Sequence, residues 1–210
     1  MSEKMKTGTT TVGVICKDGV VLAAESKATM GYLVSSKDAK KIYSIDDRIA
    51  LTISGGVGDT QHLIRMLKAE INIYKIGRNS EITVNAVNTL LSNILQSSRY
   101  YPLMAMLILG GVDKNGKHLF SIDPVGGSGE DECTATGSGS PIAFGVLENG
   151  YRRDLKKEEA ISLAVRAIRS AKERDIFSGG NQINAIFIDE NGIEEIEENK
   201  IKEILKVKAE

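Results

Sequence analysis

Few side chains in this 210-residue chain could do chemistry, and the usual candidates are poorly placed. Of the two histidines, His62 falls in the first turns of an expected helix, and His118 sits beside Lys117 on an expected hairpin strand. Neither has cysteine or carboxylate neighbours at metal-ligand spacing, so each reads as a surface or boundary histidine and no metal site is expected. Cys16 and Cys133 lie far apart and form no C-x-x-C pair. The glycine-rich pieces GGVGDT, GGSGED and TGSGSP never continue as GKS or GKT and never complete G-x-G-x-x-G, so they read as tight turns, and GGVGD also as a helix start. G-x-S-x-G is also absent, which weakens the case for a serine–histidine–carboxylate triad. The chain is therefore an enzyme that works without histidine, metal or cofactor, or it is not an enzyme.

The opening stretch MSEKMKTGTTTVGV offers one chemistry of the first kind. A threonine hydroxyl is a weak nucleophile and needs a base. A free α-amino group, with a pKa of about 7.7–8.0, titrates close to working pH. A cut between Gly8 and Thr9 would put that amine on the residue that carries the hydroxyl, so one residue would supply nucleophile and base. Glycine before the cut leaves its carbonyl open to attack. The alternative reading of Thr9-Thr10-Thr11 is structural, as β-branched residues that start a strand.

The elements that must position these residues follow from periodicity. Val12 to Ile15 and Val20 to Ala24 flank Lys17-Asp18-Gly19, a hairpin signal. RIALTIS puts Ile49, Leu51 and Ile53 on one face, and MAMLIL at 104–109 is apolar on both, as a covered central strand would be. DKNGKHLFSID and INAIFIDENGIEEI read as further hairpins. Helices are expected from Asp59 to Ile76, capped by Asp59 and ended by Gly77, then along Val84, Val87, Leu91, Ile94 and Leu95, and along Ile161, Ala164, Val165 and Ile168. A shorter helix follows Pro141, and Glu194 to Lys208 reads as a solvated surface helix. Strands arrive as hairpins rather than βαβ crossovers. The expected fold class is therefore α+β: two antiparallel sheets face to face with helix pairs outside, against a runner-up with one sheet.

Bulk properties bound the function. A net charge of −1, with acids and bases interspersed, gives no basic stripe for nucleic acid. The longest apolar run, Leu103 to Leu109, is too short for a membrane span. MSEKMKTG lacks the apolar centre of a secretory signal, and two isolated cysteines fit a reducing, cytoplasmic setting.

GTTTVGV, KDGVVLAAE, KKIYSIDDRIALTISGGVGD, TGSGSP and AKERDIFSGG, in that order and spacing, resemble a proteasome β subunit of the archaeal type, within the N-terminal nucleophile hydrolases. The resemblance runs from Thr9 to about Ile196 and implies a four-layer αββα sandwich. It implies that residues 1–8 are a propeptide removed autocatalytically and that 9–210 form one domain. It makes Thr9 the nucleophile and its freed amine the base, with Glu25 holding the catalytic Lys41. Asp175, with Ser138 and Ser178, would orient the amine, and the Gly55 amide would serve the oxyanion hole. Ala28, Ile53 and Val57 would line a small, uncharged pocket, hence cleavage after hydrophobic residues. The implied assembly is a homo-heptameric β ring stacked on a second β ring, flanked by α subunits, fed unfolded proteins by a regulatory AAA ATPase and needing no cofactor. Two alternatives remain open: a non-catalytic ring subunit of the same fold, and the bacterial two-ring threonine protease.

Overall fold

The structure is a computed structural model that describes residues 8–206. Most of the expected leader, residues 1–7, lies outside the described residues, as do residues 207–210.

Strands β1 (Thr11–Ile15) and β2 (Val20–Glu25) form the first hairpin, in the register Val14↔Val21. A small hairpin, β3 (Ala28–Met30) and β4 (Leu33–Ser36), follows and stands apart from the two large sheets. Next come β5 (Ile42–Asp46), β6 (Ile49–Gly55), helices α1 (Val57–Arg78) and α2 (Val84–Ser97), and strands β7 (Ala105–Asp113), β8 (Gly116–Ile122), β9 (Ser128–Glu130) and β10 (Cys133–Thr136). The chain ends with α3 (Ser140–Gly150), α4 (Lys157–Arg174), β11 (Ile183–Asp189), β12 (Gly192–Glu195) and α5 (Glu198–Lys206). One sheet has the order β10-β1-β2-β11-β12 and the other β5-β6-β7-β8-β9, every neighbouring pair antiparallel.

Strand alternation builds three apolar layers. Val20, Leu22 and Ala24 of β2 meet Ala50, Ile108 and Leu119 between the sheets. The alternate residues Val21 and Ala23 face outward onto Ile161, Ala164, Val165 and Ile168 of α4. On the other side Leu51, Ile53, Leu107 and Leu109 pack under Leu63, Leu67, Val87 and Leu91 of α1 and α2. The result is the αββα sandwich, and the single-sheet alternative is excluded.

Local differences from the sequence expectation have simple causes. Helix α1 begins two residues before Asp59, whose carboxylate instead accepts from the Met104 backbone N–H at 2.9 Å and ties the helix to the start of β7. The helix passes through Gly77 and stops at Asn79, which adopts the left-handed conformation (φ 46°) that an asparagine tolerates. Helix α2 starts on Thr83, whose hydroxyl accepts from Ala86 N. The C-terminal segment is not simply solvated: residues 194 and 195 belong to β12, and Ile201 is buried against the α4 layer.

Close approach of the sheets depends on Gly13. A Cβ there would lie 2.6 Å from Leu119 Cδ1 and 3.0 Å from Ile108 Cγ2. Gly13→Ala should destabilise the fold by about 1–3 kcal/mol through overpacking, read as a lower urea midpoint with an unchanged slope.

Candidate active site

Hairpin register brings the first chemistry together. Thr9 and Thr10 lead into β1, Glu25 ends β2, and the pair Thr11↔Ala24 sets these ends side by side. Glu25 N donates to Thr10 O at 3.3 Å. Lys41 comes from the other sheet, just before β5, where its carbonyl accepts from Ile53 N at 2.9 Å. The site therefore sits at one end of the sandwich, where the two sheets meet.

Lys41 is 6% exposed. Its ammonium donates to Glu25 Oε1, to Lys27 O at 2.6 Å and to Thr9 Oγ1 at 2.7 Å, which uses all three hydrogens. Burial pushes the Lys41 pKa below the usual lysine value, and the contact with Glu25 pulls it back up. Glu25 is fully buried. Its Oε1 also accepts from Thr10 N at 3.3 Å, and its Oε2 accepts from Lys27 N at 2.6 Å and Gly179 N at 3.1 Å.

The Thr9 hydroxyl donates to the Gly8 carbonyl oxygen at 2.7 Å. It thus lies between a cation and the carbonyl of the bond that precedes it. Gly8 has no room for a side chain, because a Cβ there would run into the side chains of Phe177 and Ser138. Thr9 N donates to Ser138 Oγ at 3.2 Å. Ser138 and Ser178 each donate to Asp175 Oδ2 at 2.6 Å. Asp175 caps the C-terminus of α4, where the helix dipole opposes a negative charge. The two hydroxyls and Phe177 N, at 3.3 Å, offset that cost.

Gly55 has φ 136°, and a Cβ there would strike the Met104 carbonyl oxygen. Gly55, Gly8 and Thr9 line one cavity of about 80 Å³ together with Ala28, Ile53 and Val57. Every site residue named from sequence thus lies around Thr9 or on this cavity. Tyr43 and Lys40 also line it and escaped the sequence reading. Tyr43, on β5, lies two residues after Lys41 in the extended chain, so strand alternation would have found it. The Tyr43 hydroxyl donates to Lys40 O at 3.0 Å, and the Lys40 ammonium stands 5.7 Å from the ring centroid. The lining is therefore not free of charged residues, contrary to the sequence reading. Sequence also gave no sign of the Lys27 carbonyl as a lysine acceptor. Nor did it mark Gly137 (φ 92°), where a Cβ would collide with the Thr9 carbonyl. Among the described residues no cluster of potential metal ligands occurs.

A family model described as proteasome subunit matches residues 5–187. A protein of Ferroglobus placidus named proteasome subunit beta is 52% identical over 204 residues, covering 97% of each chain. Its namesake in Methanocaldococcus fervens is 54% identical over 200 residues, covering 94% of this chain and 89% of that one. The corresponding Methanosarcina mazei protein is 48% identical over 202 residues, 96% of each.

Glu25→Gln would leave the Lys41 ammonium buried without its counter-charge. It should cost about 3–5 kcal/mol in urea unfolding. Adding Lys41→Met should recover part of that loss; a double variant less stable than Glu25→Gln alone would contradict the electrostatic account.

Proposed function

The chain belongs to the proteasome subunit family as one of its β-type members, and on that premise we propose that it is a threonine endopeptidase whose nucleophile is the Thr9 hydroxyl. The observation that carries this reading is the chain of contacts from the Lys41 ammonium to Thr9 Oγ1 and on to the Gly8 carbonyl.

Self-cleavage comes first. Thr9 Oγ adds to the Gly8 carbonyl carbon, the Gly8–Thr9 C–N bond breaks, and the hydroxyl proton ends on the departing nitrogen. Water then hydrolyses the ester, which releases residues 1–8 and leaves Thr9 with a free amine. In substrate cleavage that amine takes the hydroxyl proton as Oγ attacks and passes it to the leaving amine; water then hydrolyses the Thr9 ester, which releases the acid product and restores the hydroxyl. Lys41 stabilises the oxyanion character of Oγ without giving up its charge, and Glu25 holds it in place. Ser138 and Asp175 fix the amine. The Gly55 amide is the donor for the carbonyl oxygen as charge develops on it.

Ala28, Ile53, Val57 and Tyr43 give the cavity an aliphatic and aromatic wall, which supports cleavage after hydrophobic residues. Family membership implies assembly with other subunits into a proteasome core. We assign it a homo-heptameric β ring stacked on a second β ring between α subunits, in the cytoplasm, with unfolded proteins delivered by an AAA ATPase. Exposed Tyr32, Ile76, Tyr100 and Tyr101 support burial in such contacts.

Three experiments test the proposal on protein co-expressed with its α partner. The wild type should lose residues 1–8 by mass, whereas Thr9→Ala should keep them and hydrolyse fluorogenic peptides only at background; turnover by Thr9→Ala would end the proposal. Lys41→Arg keeps the charge, but its planar fork cannot meet three convergent acceptors, so the variant should be nearly inactive. In a peptide panel, hydrophobic residues before the cut should give the highest kcat/KM, and faster cleavage after acidic or basic ones would overturn the specificity.

A further inference from the structure

Thr10 is buried next to the proposed nucleophile and takes no part in the chemistry above. Its contacts cross the site. Its backbone N–H donates to Glu25 Oε1, the oxygen that also receives Lys41, and its carbonyl accepts from Glu25 N. Its hydroxyl lies 2.6 Å from Ser178 Oγ. Proton counting fixes the direction of that bond. Ser178 has one hydroxyl hydrogen and spends it on Asp175 Oδ2 at 2.6 Å, so Thr10 must be the donor. Donors thus run from Thr10 to Ser178 to Asp175, and a second line reaches the same Asp175 oxygen from Thr9 N through Ser138. Gly139 keeps space for the hydroxyl, because a Cβ there would collide with Thr10 Oγ1.

Resting on the functional reading above, we propose that Thr10 is a positioning residue that sets the proton affinity of the Thr9 amine through Ser178 and Asp175. A hydroxyl that accepts a hydrogen bond donates more strongly, so Thr10 strengthens the bond from Ser178 to Asp175. That bond spreads the carboxylate charge and limits what Asp175 draws from Ser138. Without it Ser138 becomes a better acceptor, the ammonium form of the amine gains, and less free base remains near neutral pH.

Two substitutions separate the hydroxyl from its shape. Thr10→Val keeps the branched outline and removes the donor; Thr10→Ser keeps the donor and removes the methyl. Both are compared with wild type and Thr9→Ala in the assembled particle. The readouts are leader loss by mass, kcat and KM on a hydrophobic fluorogenic peptide, and the pH dependence of kcat/KM. Thr10→Val should lower kcat about tenfold at an unchanged KM and move the acid limb to higher pH, while Thr10→Ser restores both. Failure of Thr10→Val to shed its leader while Thr10→Ser sheds it overturns the role as stated, because self-cleavage precedes the free amine and the hydroxyl would then act on the cut itself. Wild-type kcat and acid limb in Thr10→Val overturn it, as does equal impairment of both variants, which marks a packing role. If Thr9→Ala retains wild-type hydrolysis, the functional reading itself falls, whatever the Thr10 variants do.

Discussion

A lysine ammonium with almost no access to water survives only if each of its hydrogens meets an acceptor and its charge meets an opposite one. Much of the site can be read as the solution to that problem for Lys41. Glu25 supplies the charge, the Lys27 carbonyl the second acceptor and Thr9 Oγ1 the third. Glu25, itself fully buried, must then be satisfied in turn. The chain reverses after β2 so that Lys27 N reaches its far oxygen, and the Ser178–Gly180 segment folds over so that Gly179 N does the same. That segment can approach because Gly180 adopts φ 85°, at a place where a Cβ would come within 2.5 Å of the Ser26 carbonyl carbon. A threonine hydroxyl is thus held against a fixed cation, whose pKa burial has already pushed down.

The sandwich is what lets these groups converge. Thr9 and Glu25 are carried by one sheet and Lys41 by the other, while Ser138 precedes α3 and Asp175 terminates α4. None of these elements alone could hold two of the opposing charges at hydrogen-bond distance. Sheet spacing is in turn set by the layer between the sheets, where Gly13 admits Leu119 and Ile108. A polar link also crosses that layer close to the site. Thr52 of the second sheet donates to Thr11 Oγ1 at 2.9 Å, and Thr11 Oγ1 lies 2.7 Å from Thr136 Oγ1. The Thr52 bond ties β1 to β6 across the sheets beside Thr9 and Lys41, and the Thr136 bond ties β1 to its in-sheet neighbour β10.

How much of this was legible in sequence depended on the range of the interaction. Period-two runs such as RIALTIS and period-3.6 stripes such as Ile161, Ala164, Val165 and Ile168 report which faces are buried, and the layers followed from them. The positions of Glu25, Lys41, Ser138, Asp175 and Ser178 around Thr9 came from ordered motifs. Composition and spacing alone gave only the Gly8-Thr9 junction. Contacts made by backbone groups left no trace, since any residue has a carbonyl: the acceptor at Lys27 is the clearest case. Helix ends were displaced because tertiary contacts outcompeted local capping. Asp59 found the Met104 amide instead of its own first turn. The β3–β4 hairpin was missed because exposed Met30, Tyr32 and Leu33 carry no amphipathic alternation against a core.

The run Thr9-Thr10-Thr11 shows why the strand reading and the chemical reading of that stretch were never exclusive. Side chains leading into an extended strand point alternately to its two faces. Thr9 and Thr11 face the second sheet, where one meets Lys41 and the other Thr52. Thr10 faces the opposite way, toward the end of α4, where it meets Ser178. Each position uses its hydroxyl in a hydrogen bond, and each tolerates a β-branch because the backbone is extended. The same three-residue run therefore places the proposed nucleophile, a donor to the acid network and a clamp between the sheets, and what separates the three is the face of the strand and the partner that waits there.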